Sequence, residues 1–303
     1  MITSPLSPAH FRRSVMAVPP LARKADRSLS EEDNAKVIRH LEDGGVSLLL
    51  YGGNANVYHL PLSEYDATLA MLARLAGADT LVVPSAGPTY ALLLEQARVL
   101  RRHSFPTVMV LPQRGITTSR GVADGIREFS QAVGLPVIVY VKDDGYIEPE
   151  DVAALDREGL VSAIKYAVVR PDTATDPYLR TLVSLVDTSK IISGIGEQPA
   201  IVHVRDFGLG GFTSGCVCVA PRLSQQMLAA VTAGHWDEAE RIRGIFTPLE
   251  DLRNAINPIR VLHQAVESAG IARTGPLLPL LSNVDPEHVP AITAAAQALL
   301  AQN

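Results

Sequence analysis

Cysteine is almost absent from this chain of 303 residues: only Cys216 and Cys218 occur, one residue apart. On a strand, alternation would turn both to one face, and a disulfide closing so short a loop would be strained. The chain therefore reads as reduced, and a cytoplasmic location is expected. Aromatic residues make up only 5%, with a single tryptophan. No uninterrupted apolar run reaches the roughly 18 residues of a spanning helix, and residues 1–18 lack the long apolar stretch of a secretion signal. No membrane partner is expected. A basic surplus is missing as well: 27 Lys and Arg stand against 32 Asp and Glu, net −5, and they are scattered rather than striped. Nucleic acid is excluded as an expected partner on that ground. What the chain does have is apolar surface to bury, with 47% hydrophobic and 19% charged residues and a mean hydropathy of +0.15. Disordered and fibrous classes fall away. Length admits two nominal domains, or one α/β barrel of about 250 residues with an appendage.

Short β-rich apolar runs alternate with longer amphipathic stretches. The runs are 14–18, 46–51, 80–84, 107–111, 137–141, 162–165, 190–193 and 211–217. Helices are expected to begin near Ser30, Leu62, Pro88, Ser119, Pro149, Thr173, Gln198 and Pro221, several with N-terminal signals such as Pro149 followed by Glu150 and Asp151. Strand then helix, eight times over, points to parallel βα units. An open doubly wound sheet would want a Gly-rich phosphate turn after the first strand, which Ala17-Val-Pro-Pro20 is not. The expected fold is an α/β (β/α)8 TIM barrel over residues 1–234. The strands then stop, and 236–246, 252–269 and 286–301 read as helices of a C-terminal helical domain over residues 235–303.

Barrel enzymes carry their chemistry at the C-terminal ends of the strands. The sixth run ends in Lys165. Burial disfavours an ammonium, lowers its pKa and frees the lone pair, which makes a Schiff-base lysine nucleophilic near neutral pH. The bland alternative is a lysine that reaches out to solvent or pairs with a carboxylate. On the neighbouring run Tyr140 stands at the equivalent depth, where a phenol could pass protons during imine chemistry. Its alternative is ordinary aromatic packing at the rim.

Together Tyr140, Lys165, Ser193-Gly-Ile-Gly-Glu197, Thr213-Ser-Gly215 and Asn257-Pro-Ile259 resemble, in order and spacing over almost the whole chain, the dihydrodipicolinate synthase/N-acetylneuraminate lyase family. The resemblance implies a class I lyase on a (β/α)8 barrel with a C-terminal helical domain. Such an enzyme forms an imine between lysine and pyruvate or another 2-oxo acid, with an aldehyde as a possible second substrate and no cofactor. It also implies a homo-oligomer, dimer or tetramer. By resemblance Lys165 is the imine lysine and Tyr140 the proton-handling tyrosine, Gly194 offers backbone groups to the keto acid, and Thr213 helps form the pocket floor.

The departures are informative. After the second strand the family carries a Gly-Thr-Thr-Gly-Glu type loop, where this chain reads Gly52-Gly53-Asn54-Ala55-Asn56. Gly53 and Asn54 are expected to grip the substrate carboxylate through backbone N–H groups. The Asn54 amide can replace one hydroxyl as a donor, but it does not shuttle protons. Where Pro-Tyr-Tyr is common, the chain has Pro112-Gln113-Arg114. Arg114 is a candidate for an acidic substrate group, with a solvent-exposed loop arginine as its alternative. The family's arginine for a second carboxylate falls near Gly145, and Lys142 is the nearest basic residue. These losses argue against the lysine-biosynthesis reaction itself and for another lyase of the family.

Other motifs carry less. Asp143-Asp144-Gly145 suits a turn better than a Mg²⁺ site, and no metal is expected. Gly194-Ile-Gly196 is a fragment of a dinucleotide fingerprint on the wrong strand. Gly208-Leu-Gly-Gly211 reads as a turn, Cys216 and Cys218 as small core residues, and Trp236 as packing. His59 and His203 are isolated. Two rival hypotheses remain. One is a non-catalytic or regulatory 2-oxo-acid-binding protein on a degenerate lyase barrel, and the other is a metal-dependent aldolase using Asp143 and Asp144.

Overall fold

Eight short parallel strands close on themselves in the computed structural model, which describes residues 1–303. They are β1 (Met16–Ala17), β2 (Leu48–Tyr51), β3 (Leu81–Ala86), β4 (Val108–Val110), β5 (Val137–Val141), β6 (Val161–Tyr166), β7 (Ile191–Ser193) and β8 (Gly211–Ser214). They pair in sequence order, and β8 returns to β1 with Met16 opposite Thr213 and Ala17 opposite Ser214. The fold is the (β/α)8 barrel that the alternation predicts. Both faces of a barrel strand are covered, one by the interior and one by helices, so its residues need not alternate with polar ones. That is why Val137–Val141 reads as an unbroken β-branched and aromatic run, and every residue of it is buried.

Helix α1 (Pro8–Arg13) precedes β1 and is missed by the sequence reading. The eight that follow the strands are α2 (Glu31–Asp43), α3 (Leu62–Leu75), α4 (Tyr90–Leu100), α5 (Ser119–Val133), α6 (Pro149–Arg157), α7 (Pro177–Leu185), α8 (Ala200–Phe207) and α9 (Pro221–Ala233). Their starts obey local chemistry. The Ser30 and Thr118 hydroxyls accept the N–H groups of Asp33 and Gly121, and proline occupies the first turn of α6, α7 and α9. Helix α7 begins at Pro177 rather than near Thr173, because Asp172 holds 172–175 in a turn by accepting from the Ala174 N–H and the Thr175 hydroxyl. The Asp176 carboxylate then caps the helix by accepting the Leu179 N–H.

Two further boundaries need correction. A strand over 211–217 is too long: β8 stops at Ser214, whose hydroxyl accepts the Val217 N–H at 2.9 Å, and Cys216–Cys218 forms a 3-10 turn. The two cysteines therefore share no strand face; both are free thiols, fully buried. In the C-terminal part, α10 (Trp236–Ala255) runs unbroken through Pro248 instead of ending at Phe246. The break comes at Asn257, whose side-chain oxygen accepts the N–H groups of Ile259 and Arg260 and opens α11 (Pro258–Ser268). After that, α12 (Val289–Leu300) ends the fold, and no strand follows Gly234.

Candidate active site

Strand pairing puts Tyr140 directly beside Lys165 across β5 and β6. Only 5% of Lys165 is exposed. Its amine lies over the Tyr140 ring, 4.3 Å from the centroid, and no carboxylate lies within ion-pairing distance. The two bland alternatives for this lysine, a solvent tail or an ion pair, are both absent from the structure. Burial, helped by the positive charges of Lys142 and Arg253, lowers the Lys165 ammonium to about 7. A substantial free-amine fraction at neutral pH follows. Burial, with the Asp143 charge adding to it, keeps the Tyr140 phenol well above its usual range, so it is a protonated donor. Gly194 approaches so closely that a Cβ there would lie 2.7 Å from Ala167 Cβ and 3.0 Å from Lys165 Cγ. Only glycine lets β7 close beside the lysine stem. The Gly194 N–H is already donated to the Tyr166 carbonyl at 2.6 Å, which leaves only its carbonyl for a ligand.

On the loop after β2, no protein acceptor takes the N–H of Gly53, Asn54 or Ala55. Three consecutive unused donors suit an anion. Asn54 itself is held at both ends: its side-chain amide donates to the Val18 carbonyl at 2.9 Å, and its own carbonyl is 2.8 Å from His263 Nε2. Thr213 is buried on β8, opposite Met16. Arg114 lies farther out and grips Asp143 through Nε and Nη2, both at 2.7 Å, so a substrate anion would have to compete with that carboxylate. Asp144 is likewise bound to Arg170. With Tyr58, Pro112 and Lys142, Arg114 lines a cavity of about 320 Å³. A cavity of about 670 Å³ lies between α4 and α5 and the loops that lead into them, and Lys165 is not among its lining residues.

Sequence reading misses a buried polar cluster where α10 meets the barrel. The Glu197 carboxylate accepts from the Ser214 and Ser224 hydroxyls at 2.8 and 2.7 Å, and Glu250 Oε1 accepts the Glu197 N–H at 2.8 Å. Burial pushes both carboxyls up, and the mutual repulsion of two neighbouring carboxylates adds to this at Glu250. Arg253, from the same helix and 8% exposed, donates to the Pro258 carbonyl at 3.3 Å and the Cys216 sulfur at 3.8 Å. Glu197 and Ser214 do lie within the 193–197 and 213–215 motifs, but for Arg253 the sequence offers only Asn257-Pro258 four residues on, which ends α10 and sets the carbonyl that Arg253 meets.

With that geometry in place, comparison with known proteins is decisive. The model of the dihydrodipicolinate synthetase family matches residues 12–299. The chain belongs to that family. Among curated members, a probable 5-dehydro-4-deoxyglucarate dehydratase of Rhizobium rhizogenes is 24% identical over 86% of this chain and 87% of its own. A 4-hydroxy-tetrahydrodipicolinate synthase of Alkaliphilus oremlandii is 26% identical over 80% of this chain and 83% of its own. The crystal structure of dihydrodipicolinate synthase from Bacillus clausii covers 97% of this chain and 98% of its own with a TM-score of 0.83 at 24% identity, a likeness of fold. As a member of the dihydrodipicolinate synthetase family the protein is an enzyme, a lyase.

Proposed function

We propose that the protein is a class I lyase that engages pyruvate or another 2-oxo acid as an imine on Lys165. The observation that carries this reading is the lysine itself, sealed at a strand end, without a counter-ion, its amine 4.3 Å from the Tyr140 ring centroid and its ammonium lowered to about 7 by burial. In the first step the Lys165 nitrogen lone pair adds to the C2 carbonyl, and the oxygen takes up a proton to give a carbinolamine. Loss of that hydroxyl as water leaves the protonated imine. Tyr140 Oη donates to no protein group and is the donor at hand for the departing oxygen. The unused N–H groups of Gly53 and Asn54 are suited to the substrate carboxylate, with Thr213 and the Gly194 carbonyl on the remaining sides.

The protonated imine draws electrons from C3, so loss of a proton, cleavage of the C3–C4 bond or addition of an aldehyde at C3 all run through one enamine. A dehydratase and a synthase among the relatives fit a shared intermediate with different outcomes. A 2-oxo acid longer than pyruvate would extend from C3 towards the cavity of Tyr58, Arg114 and Lys142. Assembly into a homo-oligomer belongs to the same reading: Ile116 is 80% exposed and Tyr90 50% exposed beside the cavity between α4 and α5, an apolar face that a second copy would cover.

The test is borohydride trapping across a panel of 2-oxo acids, read by mass spectrometry, with Lys165→Ala as control. The expected result is the reduced-imine mass on the wild type alone. A panel that leaves the wild type unmodified sinks the reading. The loss of both hydroxyls after β2 favours the rival reading, a regulatory 2-oxo-acid-binding protein, which would show trapping or binding without turnover of any member of the panel.

A further inference from the structure

A guanidinium taken out of water is costly unless its donors are satisfied, and buried arginines are accordingly found paired with carboxylates or phosphates. Arg253 is not. Nine-tenths of the residue is buried, its Nε has a long bond to a carbonyl and its Nη1 a sulfur, and no carboxylate reaches it within ion-pairing distance. Its Nη2 has no protein acceptor, yet it is not among the sealed polar atoms, so it faces accessible space. The same nitrogen packs against Gly215 beside Asn54: a Cβ added to Gly215 would lie 2.7 Å from Arg253 Nη2 and 2.9 Å from Asn54 Nδ2. Two nitrogens from separate elements, the end of α10 and the loop after β2, thus converge over a residue with no side chain. Gly215 has an ordinary backbone conformation, φ −89°, so nothing in the turn itself demands glycine. What the missing side chain provides is the close approach of the guanidinium and the Asn54 amide to each other.

The charge of Arg253 also reaches Lys165, whose ammonium it lowers together with burial and Lys142. Gly215 follows the end of β8, two strands round the barrel from Lys165 on β6, so the guanidinium stands on the same rim of the barrel and, beside Asn54, on the side of the β2 loop, where Gly53, Asn54 and Ala55 carry their unused N–H groups. The geometry points to a carboxylate site built by Arg253 together with the Asn54 amide over Gly215, in which a cation from the C-terminal helices takes the substrate's 2-oxo-acid carboxylate. The site rests on the imine reading for the position of its ligand, and its chemistry is that of a planar monoanion met by a guanidinium fork. Such a cation supplies charge that the two hydroxyls absent at Gly53 and Asn54 never could. The Asn257-Pro258 turn is the support: the Pro258 carbonyl holds Nε and fixes the plane of the fork.

The test compares pyruvate with pyruvamide, its neutral carboxamide analogue, by borohydride trapping at Lys165. The preference for pyruvate is expected to fall by about 10- to 100-fold in Arg253→Gln, the scale of a lost charge-assisted bond, and to be partly kept in Arg253→Lys. Gly215→Ala, whose Cβ would crowd Nη2 and push the fork aside while keeping its charge, is expected to reduce the same preference and guards against an Arg253 variant that fails to fold. A purely structural arginine would lower trapping of both ketones together and leave the ratio within about twofold of the wild type, and that result overturns the site. Failure of the imine is distinguishable, because the wild type would then trap neither ketone. In that event NMR-detected binding of pyruvate to Lys165→Ala, with and without Arg253→Gln, decides: binding that depends on Arg253 supports the anion site, and equal binding refutes it.

Discussion

Lys165 is a lysine that the fold has placed where cations are least stable, and the reactivity proposed for it follows from that placement. Trapping and turnover both need the free amine, so their rates are expected to rise with pH through a limb at about 7, the value to which burial first, and then Lys142 and Arg253, bring the group. A limb near the ordinary lysine range would mean that the amine is solvated. Tyr140→Phe removes the hydroxyl but keeps the ring under the amine, so turnover should fall by about 10²–10⁴-fold, the span of a positioned acid–base group, while borohydride still captures some imine. Unaltered kcat would return Tyr140 to a packing role. Both residues were legible in the sequence because strand ends follow from hydrophobic runs, and neighbouring runs of a parallel barrel set neighbouring tips side by side. Arg253 was not. It sits inside an amphipathic helix with no motif of its own, and only the packing of α10 over the barrel brings it to Gly215 and Asn54.

At the scale of elements, the barrel was readable for one reason: eight short, mainly apolar runs, buried on both faces almost throughout, leave little polar alternation to confuse with another fold. The ends of elements were harder, since they depend on single side chains. Ser214 ends β8 by capping the turn that follows, and Asn257 rather than Pro248 separates α10 from α11. A proline is tolerated inside α10, whereas a side chain that accepts two orphan N–H groups marks the true start of a helix. Asn257→Ala should therefore cost about 1 kcal/mol of stability, seen as a lower urea midpoint at constant m-value. An unmoved midpoint would show that Pro258 alone sets the break.

For the molecule as a whole, the buried lysine is a stability cost that the proposed imine chemistry would require. In the unfolded chain it holds its proton up to the ordinary value of 10.5, and in the native state only to about 7. Between those values the unfolded state binds the extra proton, so stability should rise with pH across that window and be lowest below about 7. Lys165→Met removes the group, and the thermal midpoint at pH 7 should increase by an amount equivalent to about 1–4 kcal/mol. The part of the pH slope between 7 and 10.5 that belongs to Lys165 should vanish with it. A variant no more stable than the wild type would mean that the native lysine is already charged and paired.

The proposed imine and the proposed carboxylate site are tested together in a crystal soaked with pyruvate at neutral pH. Continuous density is expected from Lys165 Nζ to C2, with the carboxylate against the Gly53 to Ala55 amides and within hydrogen-bond distance of Arg253 Nη2. Pyruvate bound elsewhere, or bound at this site with Lys165 Nζ free of it, would contradict the assignment.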